Sequence, residues 1–128
     1  MEATLRKNGS ELVKAYRDLE IYKACFRFQQ AVFVSSKLFP KQEHYSLTNQ
    51  VRRSSRSIGP NIAESWSKRR YPAHFVSKLT DSDGELQETT HWLRTAFACN
   101  YITEALCADL ITQAEEIGKM LGSMITNH

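Results

Sequence analysis

The sequence predicts an all-α protein, an up-down-up-down antiparallel four-helix bundle with helices of roughly 20 residues. Three observations carry that expectation. Four segments place apolar side chains at alternating spacings of four and three, the period of a helix with one buried face. Short polar stretches with proline, asparagine or a cap-forming side chain separate them. No stretch shows the sustained period of two that marks a half-buried strand.

Taken in order, residues 1–17 are polar with little periodicity and read as an N-terminal arm, flexible or forming a short helix. The bundle domain is expected over 18–128. Asp18 is a candidate N-cap, with Glu20 in the first turn. One row, Tyr22, Phe26, Gln29 and Phe33, then runs beside a second, Ile21, Cys25, Phe28, Val32, Ser35 and Phe39. Together they make a stripe wider than one bundle seam requires. Pro40 ends this helix, because a residue before proline is pushed away from helical angles. From about Tyr45 to Trp66, Leu47, Val51, Ser54, Ile58, Ile62 and Ser65 define a second helix, kinked near Pro60 rather than stopped there. Pro72 suits the first position of the third helix, whose stripe is Phe75, Leu79, Ser82, Leu86, Thr89, Leu93 and Ala96. Gly84 lies within it, and a mid-helix glycine suggests close approach by another backbone. Asn100 breaks that helix, Thr103 caps the fourth, and Leu106, Leu110, Ala114, Ile117, Leu121 and Met124 form its stripe.

A chain of 128 residues fits one domain with a sufficient core. Its longest apolar run, Ala31–Val34, is far too short to span a bilayer, and the first residues read as no secretory signal. Three widely spaced cysteines, Cys25, Cys99 and Cys107, suit a reducing cytoplasm and neither a disulfide framework nor a metal knuckle. Charge is unevenly spread. Residues 1–70 hold 14 basic and 6 acidic side chains, a net of +8, and residues 71–128 hold 3 and 8, a net of −5. Such a dipolar chain suits a polyanion on one face, or head-to-tail contact between copies.

Catalytic signatures are missing from the sequence. Di-iron bundles need two Glu-x-x-His pairs and two further glutamates, and here only Glu88 and His91 make such a pair. There is no nucleophile elbow, phosphate loop or dinucleotide fingerprint. The expectation is a protein with no enzymatic activity, cofactor or metal.

Two polar constellations remain. Arg52, Arg53 and Arg56 on the second helix, with Lys68, Arg69 and Arg70 after it, form a basic strip that suits a nucleic-acid backbone. Tyr45, Trp66 and Tyr71 nearby offer rings for unpaired bases. The alternative is a solvated face, or arginines paired with acids of another helix or subunit. Gln50, Arg53, Asn61, Glu64 and Glu88 fall where a bundle would shelter them, and read as an inter-helix hydrogen-bond network rather than a ligand pocket. Glu64 and Lys68 are spaced for a local ion pair.

The segment Leu47–Glu64, with its Gln50-Val51-Arg52-Arg53 and Asn61-Ile62-Ala63-Glu64 blocks, resembles the four-helix-bundle family encoded in intervening sequences of bacterial large-subunit ribosomal RNA genes. Leu19–Ala24, Phe39-Pro40, Gly84–Glu88 and Asn100–Ile102 extend the likeness over about 18–126. Ser65 stands where the family usually carries glycine. The resemblance implies a homopentameric ring without known enzymatic activity. It also implies kinship with the accessory protein of diversity-generating retroelements, which engages nucleic acid and a reverse transcriptase. The expected partners are therefore other copies of the chain, RNA or DNA, and a reverse transcriptase or another protein, with no membrane. A structural scaffold for protein partners is the competing expectation, and a metal-binding enzyme ranks last.

Overall fold

The computed structural model describes residues 6–7 and 11–128, with side chains from Val13 onward. Four helices make up the bundle: α1 (Glu20–Ser36), α2 (Leu47–Ser67), α3 (Pro72–Ala98) and α4 (Glu104–Thr126). Consecutive helices pack together, α1 closes against α4, and the α2–α3 contact is the most extensive. Ahead of them, Arg6–Lys7 and Glu11–Leu12 pair as a two-residue antiparallel ribbon, β1 and β2. A 3-10 turn follows at Tyr16–Asp18. The arm expected as flexible or as a short helix is therefore ribbon and turn where it is described, and residues 1–5 and 8–10 lie outside the described residues. Strands of two residues are too short to leave a periodic signal.

Asp18 does not cap α1. Its carboxylate reaches back and accepts from the Lys14 and Ala15 amides at 3.4 and 3.3 Å, closing the 3-10 turn, and Leu19 takes the N-cap position of α1. The other boundaries follow the sequence. Pro72 opens α3, and the Thr103 hydroxyl accepts from the Leu106 amide at 3.1 Å to cap α4. Asn100 ends α3 with a φ of 63°. Its amide donates to the Phe97 carbonyl and the Tyr101 amide to that of Ala96, both at 2.9 Å, the Schellman pattern in which asparagine tolerates a left-handed turn.

The core is the set of stripes the spacing picks out. Phe28, Val51, Ile58, Ile62, Leu79, Leu86, Leu93, Leu110, Ile117 and Leu121 are essentially inaccessible. The buried faces of α2 and α3 add small hydroxyls to their large apolar groups. The Thr89 hydroxyl donates to Ser54 Oγ at 2.8 Å, and Ser82 Oγ donates to the Ile58 carbonyl at 2.9 Å. These bonds satisfy the buried polar atoms and let the two backbones approach closely.

α2 continues through Pro60, which removes the donor that would have served the Arg56 carbonyl. The close backbone approach expected at Gly84 is not found. A Cβ on Gly59 would touch the Tyr22 ring at 3.6 Å, whereas one on exposed Gly84 meets nothing within 4 Å. Ser65, fully buried, folds its hydroxyl onto the Ile62 carbonyl at 2.7 Å, so α2 keeps a helical end without the family's glycine.

Candidate nucleic-acid interface

A helix turns about 100° per residue, and that rotation divides the arginines of α2 between two neighbours. Arg52 and Arg56 face α1, where Phe33 sits on the outer row that the core does not use. The Arg52 guanidinium lies over the Phe33 ring at 4.8 Å and that of Arg56 at 5.1 Å; Lys37 Nζ, one turn along α1, completes the group at 4.9 Å. Arg52 Nε donates to Ser36 Oγ at 2.7 Å, which fixes the guanidinium and leaves its terminal N–H groups pointing outward from that bond. Among the described residues, no carboxylate forms an ion pair with Lys37, Arg52 or Arg56.

Arg53 belongs elsewhere. It spans to α3, pairing with Glu85 at 3.4 Å and in closer contact with Glu88, while Gln50 Oε1 accepts from its Nε and Nη2, each at 3.4 Å. Trp92 Nε1 also donates to Glu88 at 3.1 Å. That Trp92 bond foremost, and then Arg53, hold the Glu88 carboxyl below its ordinary range against the opposing effect of desolvation. The basic strip therefore loses Arg53 to the inter-helix network, which Gln50 and Glu88 join as the spacing predicts. Glu64 makes a separate inter-helix bridge, pairing with Lys78 of α3 at 2.7 Å instead of with Lys68, and Asn61 joins neither. Asn61 donates back to the Ser57 carbonyl at 2.9 Å. His91 is exposed and Glu88 is engaged, so the Glu-x-x-His pair has no converging ligands; no group of three potential metal ligands occurs among the described residues.

Lys68, Arg69 and Arg70 lie past the end of α2, about 16 Å along the axis from Arg56. Arg69 covers the Trp66 ring at 4.3 Å and donates to the Trp66 carbonyl at 2.9 Å. Trp66 is only 7% exposed and offers no free face to a base, in contrast to the expectation for it. Tyr71 and Tyr45 are open, the latter 90% exposed. The strip thus resolves into two basic regions, one along the first half of α2 and one past its C-terminal end.

Spacing alone misses Phe33, Lys37, Lys41 and His44. Lys41 and His44 flank the Lys41–Glu43 3-10 turn of the α1–α2 connection and line a recess with Ser36, Lys37, Tyr45 and Arg52. A signal existed: Phe33 has no place on the buried row of α1, and Lys37 follows it at i+4. Glu43, the acid of this turn, points away from the recess. Ser46 Oγ donates to it at 2.6 Å, the Tyr101 hydroxyl at 2.8 Å and the Leu47 amide at 3.3 Å. Those donors, in that order, lower the Glu43 carboxyl, and the same bond pushes the Tyr101 hydroxyl up to about 12.

The family model for the 23S rRNA-intervening sequence protein matches residues 17–123, all four helices up to the last turn. The chain belongs to this family. A crystal structure of a protein of unknown function from the S23 ribosomal protein family of Bacteroides thetaiotaomicron VPI-5482 superposes with a TM-score of 0.74 at 29% identity. The match covers 84% of this chain and 96% of that one. No curated protein matches it. In this family member, then, the Arg52–Arg56–Phe33 group rides on a shared four-helix bundle whose core draws on all four helices. Among the described residues, no helix is long and apolar enough to cross a membrane.

Proposed function

We propose that this intervening-sequence protein is a cytoplasmic, non-enzymatic homo-oligomer, a ring of five subunits, that binds structured RNA or DNA through the cations of α1 and α2. The observation that carries the reading is the convergence of Lys37, Arg52 and Arg56 on Phe33 with no described acid among them. Three like charges repel one another, and the bundle alone gives them no counter-charge; a phosphate backbone supplies it and releases its own counterions. Repetition around a ring multiplies weak contacts into useful avidity without base readout. Phe26 and Val34, exposed on α1, Leu38 just past its end, and the acidic side chains of α4 support self-association through unlike surfaces.

The test is anisotropy of a labelled RNA hairpin at two salt concentrations, with light scattering for mass. Arg52→Glu with Arg56→Glu is expected to abolish binding while mass and helicity hold. Unchanged binding refutes the site.

The exposed apolar row of α1 favours one second reading, a scaffold that docks a protein such as a reverse transcriptase. On that reading the double charge reversal leaves RNA affinity absent in both proteins and lowers the oligomer mass or the capture of the protein partner.

A further inference from the structure

The recess between the end of α1 and the start of α2 has a composition that a general phosphate-binding face does not need. It encloses ≈ 440 Å³, within the ~300–1,000 Å³ range of small-molecule pockets. Lys37, Lys41 and Arg52 bring three full positive charges to it, and His44 adds an imidazole. Ser36 and Thr48 also line it, the Ser36 hydroxyl donating to the Phe33 carbonyl at 2.7 Å, and its lining contains no carboxylate and no side-chain amide. The one acid of the connecting turn, Glu43, is held on the far side by Ser46, Leu47 and Tyr101. Fold geometry therefore separates the only local anion from the cations around the recess.

Two features make this more than a charged patch. Arg52 is oriented in advance by Ser36 Oγ at 2.7 Å and by the Phe33 ring, and its terminal N–H pair remains for an oxygen ligand. At the rim stands Tyr45, 90% exposed, its ring supported edge-on by His44 at 4.6 Å. An aromatic face this open beside a cationic pocket is the pairing by which proteins hold an unpaired nucleotide.

We infer that the recess takes the phosphodiester of an unpaired nucleotide, whose base stacks on Tyr45. The inference rests on the nucleic-acid reading above and deepens it. The preferred ligand is single-stranded or bulged RNA or DNA, because a paired base keeps its face inside the duplex and cannot reach Tyr45. Recognition is of the phosphate by the cations of the lining and of the base by its ring face.

The experiment compares two labelled RNAs of equal phosphate number, a blunt two-stranded duplex and a duplex with a single-stranded overhang, by anisotropy against the full chain. The wild type is expected to bind the overhang roughly 10-fold more tightly, the scale of one base–aromatic stack. Tyr45→Ala should remove that preference and leave blunt-duplex affinity unchanged, while Tyr45→Phe keeps it. Lys41→Ala should weaken overhang binding more than blunt binding. Both side chains are exposed, so neither change threatens the fold. Equal affinities for the two RNAs, or an overhang preference that survives Tyr45→Ala, overturn the inference; if Arg56→Glu still weakens both RNAs, the basic-face reading stands without it. Absence of binding by the wild type to either RNA at low salt overturns both.

Discussion

Arg53 and Arg56 lie less than one helical turn apart, yet neutralising them should change different measurements. Arg56 is exposed, rests on Phe33 at 5.1 Å and has no described carboxylate partner. Arg56→Gln removes one phosphate contact per engaged subunit and should lower the slope of log K against log salt by about 0.9 on duplex. At 0.1 M salt that slope corresponds to a loss of roughly 8-fold in affinity per engaged subunit. Stability should barely move, because an exposed cation–π contact is worth about 0.5–1 kcal/mol and Lys37 and Arg52 still cover the ring. Arg53→Gln breaks the bridges to Glu85 and Glu88, with the Arg53 side chain 47% exposed. Solvent screening at that exposure limits the cost to about 1 kcal/mol. The salt slope should stay at its wild-type value. Anisotropy titrations at four salt concentrations, run beside thermal unfolding, read both quantities. An unchanged slope in Arg56→Gln, or an equal loss of slope in Arg53→Gln, would refute the division of α2 into a binding edge and a structural edge.

Three further outcomes test the packing. Gly84 is exposed with open space where a Cβ would sit, so Gly84→Ala should add about 1 kcal/mol and raise the unfolding midpoint by roughly 3–5 °C; a lower midpoint would reveal a contact made only in the assembled protein. Burial pushes the Cys25 thiol up to about 12, Cys107 is buried and Cys99 is exposed. Ellman's reagent at pH 8 should therefore titrate one thiol quickly in the native protein and three after denaturation, and fast reaction of Cys25 would contradict its burial. The lowered Glu43 carboxyl makes a stability contribution that is present at neutral pH and is lost as pH falls below the ordinary glutamate value of 4.5 and through the folded one. Glu43→Gln should thus unfold at a lower temperature than wild type at pH 7, with the gap closing in acid; a gap constant from pH 7 to pH 3 would remove the carboxylate from the account.

Periodicity made the four helices legible because burial on one face imposes the same spacing everywhere along a helix. Ile21, Cys25, Phe28 and Val32 on α1, and the whole Phe75-to-Ala96 row on α3, are buried as their spacing requires. Proline and asparagine marked ends for a similar reason, since each restricts its own backbone. The interface was legible only as composition. Arg52 and Arg53 are identical in sequence terms, and only the direction of α1 and α3 from α2 separates a ring-stacked guanidinium from an ion-paired one. Phe33 was hidden because an outer apolar row looks like surplus core until the true core is known. Asp18 misled for a local reason, as an aspartate before a helix serves equally well to close a turn behind it.

The separation of Glu43 from the recess links these levels. An acid two positions from Lys41 would ordinarily relax toward that nearest cation, and doing so here would cancel one of the three positive charges of the pocket. Three donors prevent it, and they come from different parts of the chain: the Ser46 hydroxyl and Leu47 amide begin α2, while the Tyr101 hydroxyl belongs to the Schellman turn that ends α3. The same carboxylate satisfies the orphan amide at the start of α2, where Ser46 provides no side-chain cap. Closing the bundle and keeping the recess positive are thus one arrangement. A fold stabilised by its end turns leaves Lys37, Lys41 and Arg52 without a local counter-charge, and that unmet charge is what a phosphate can exploit.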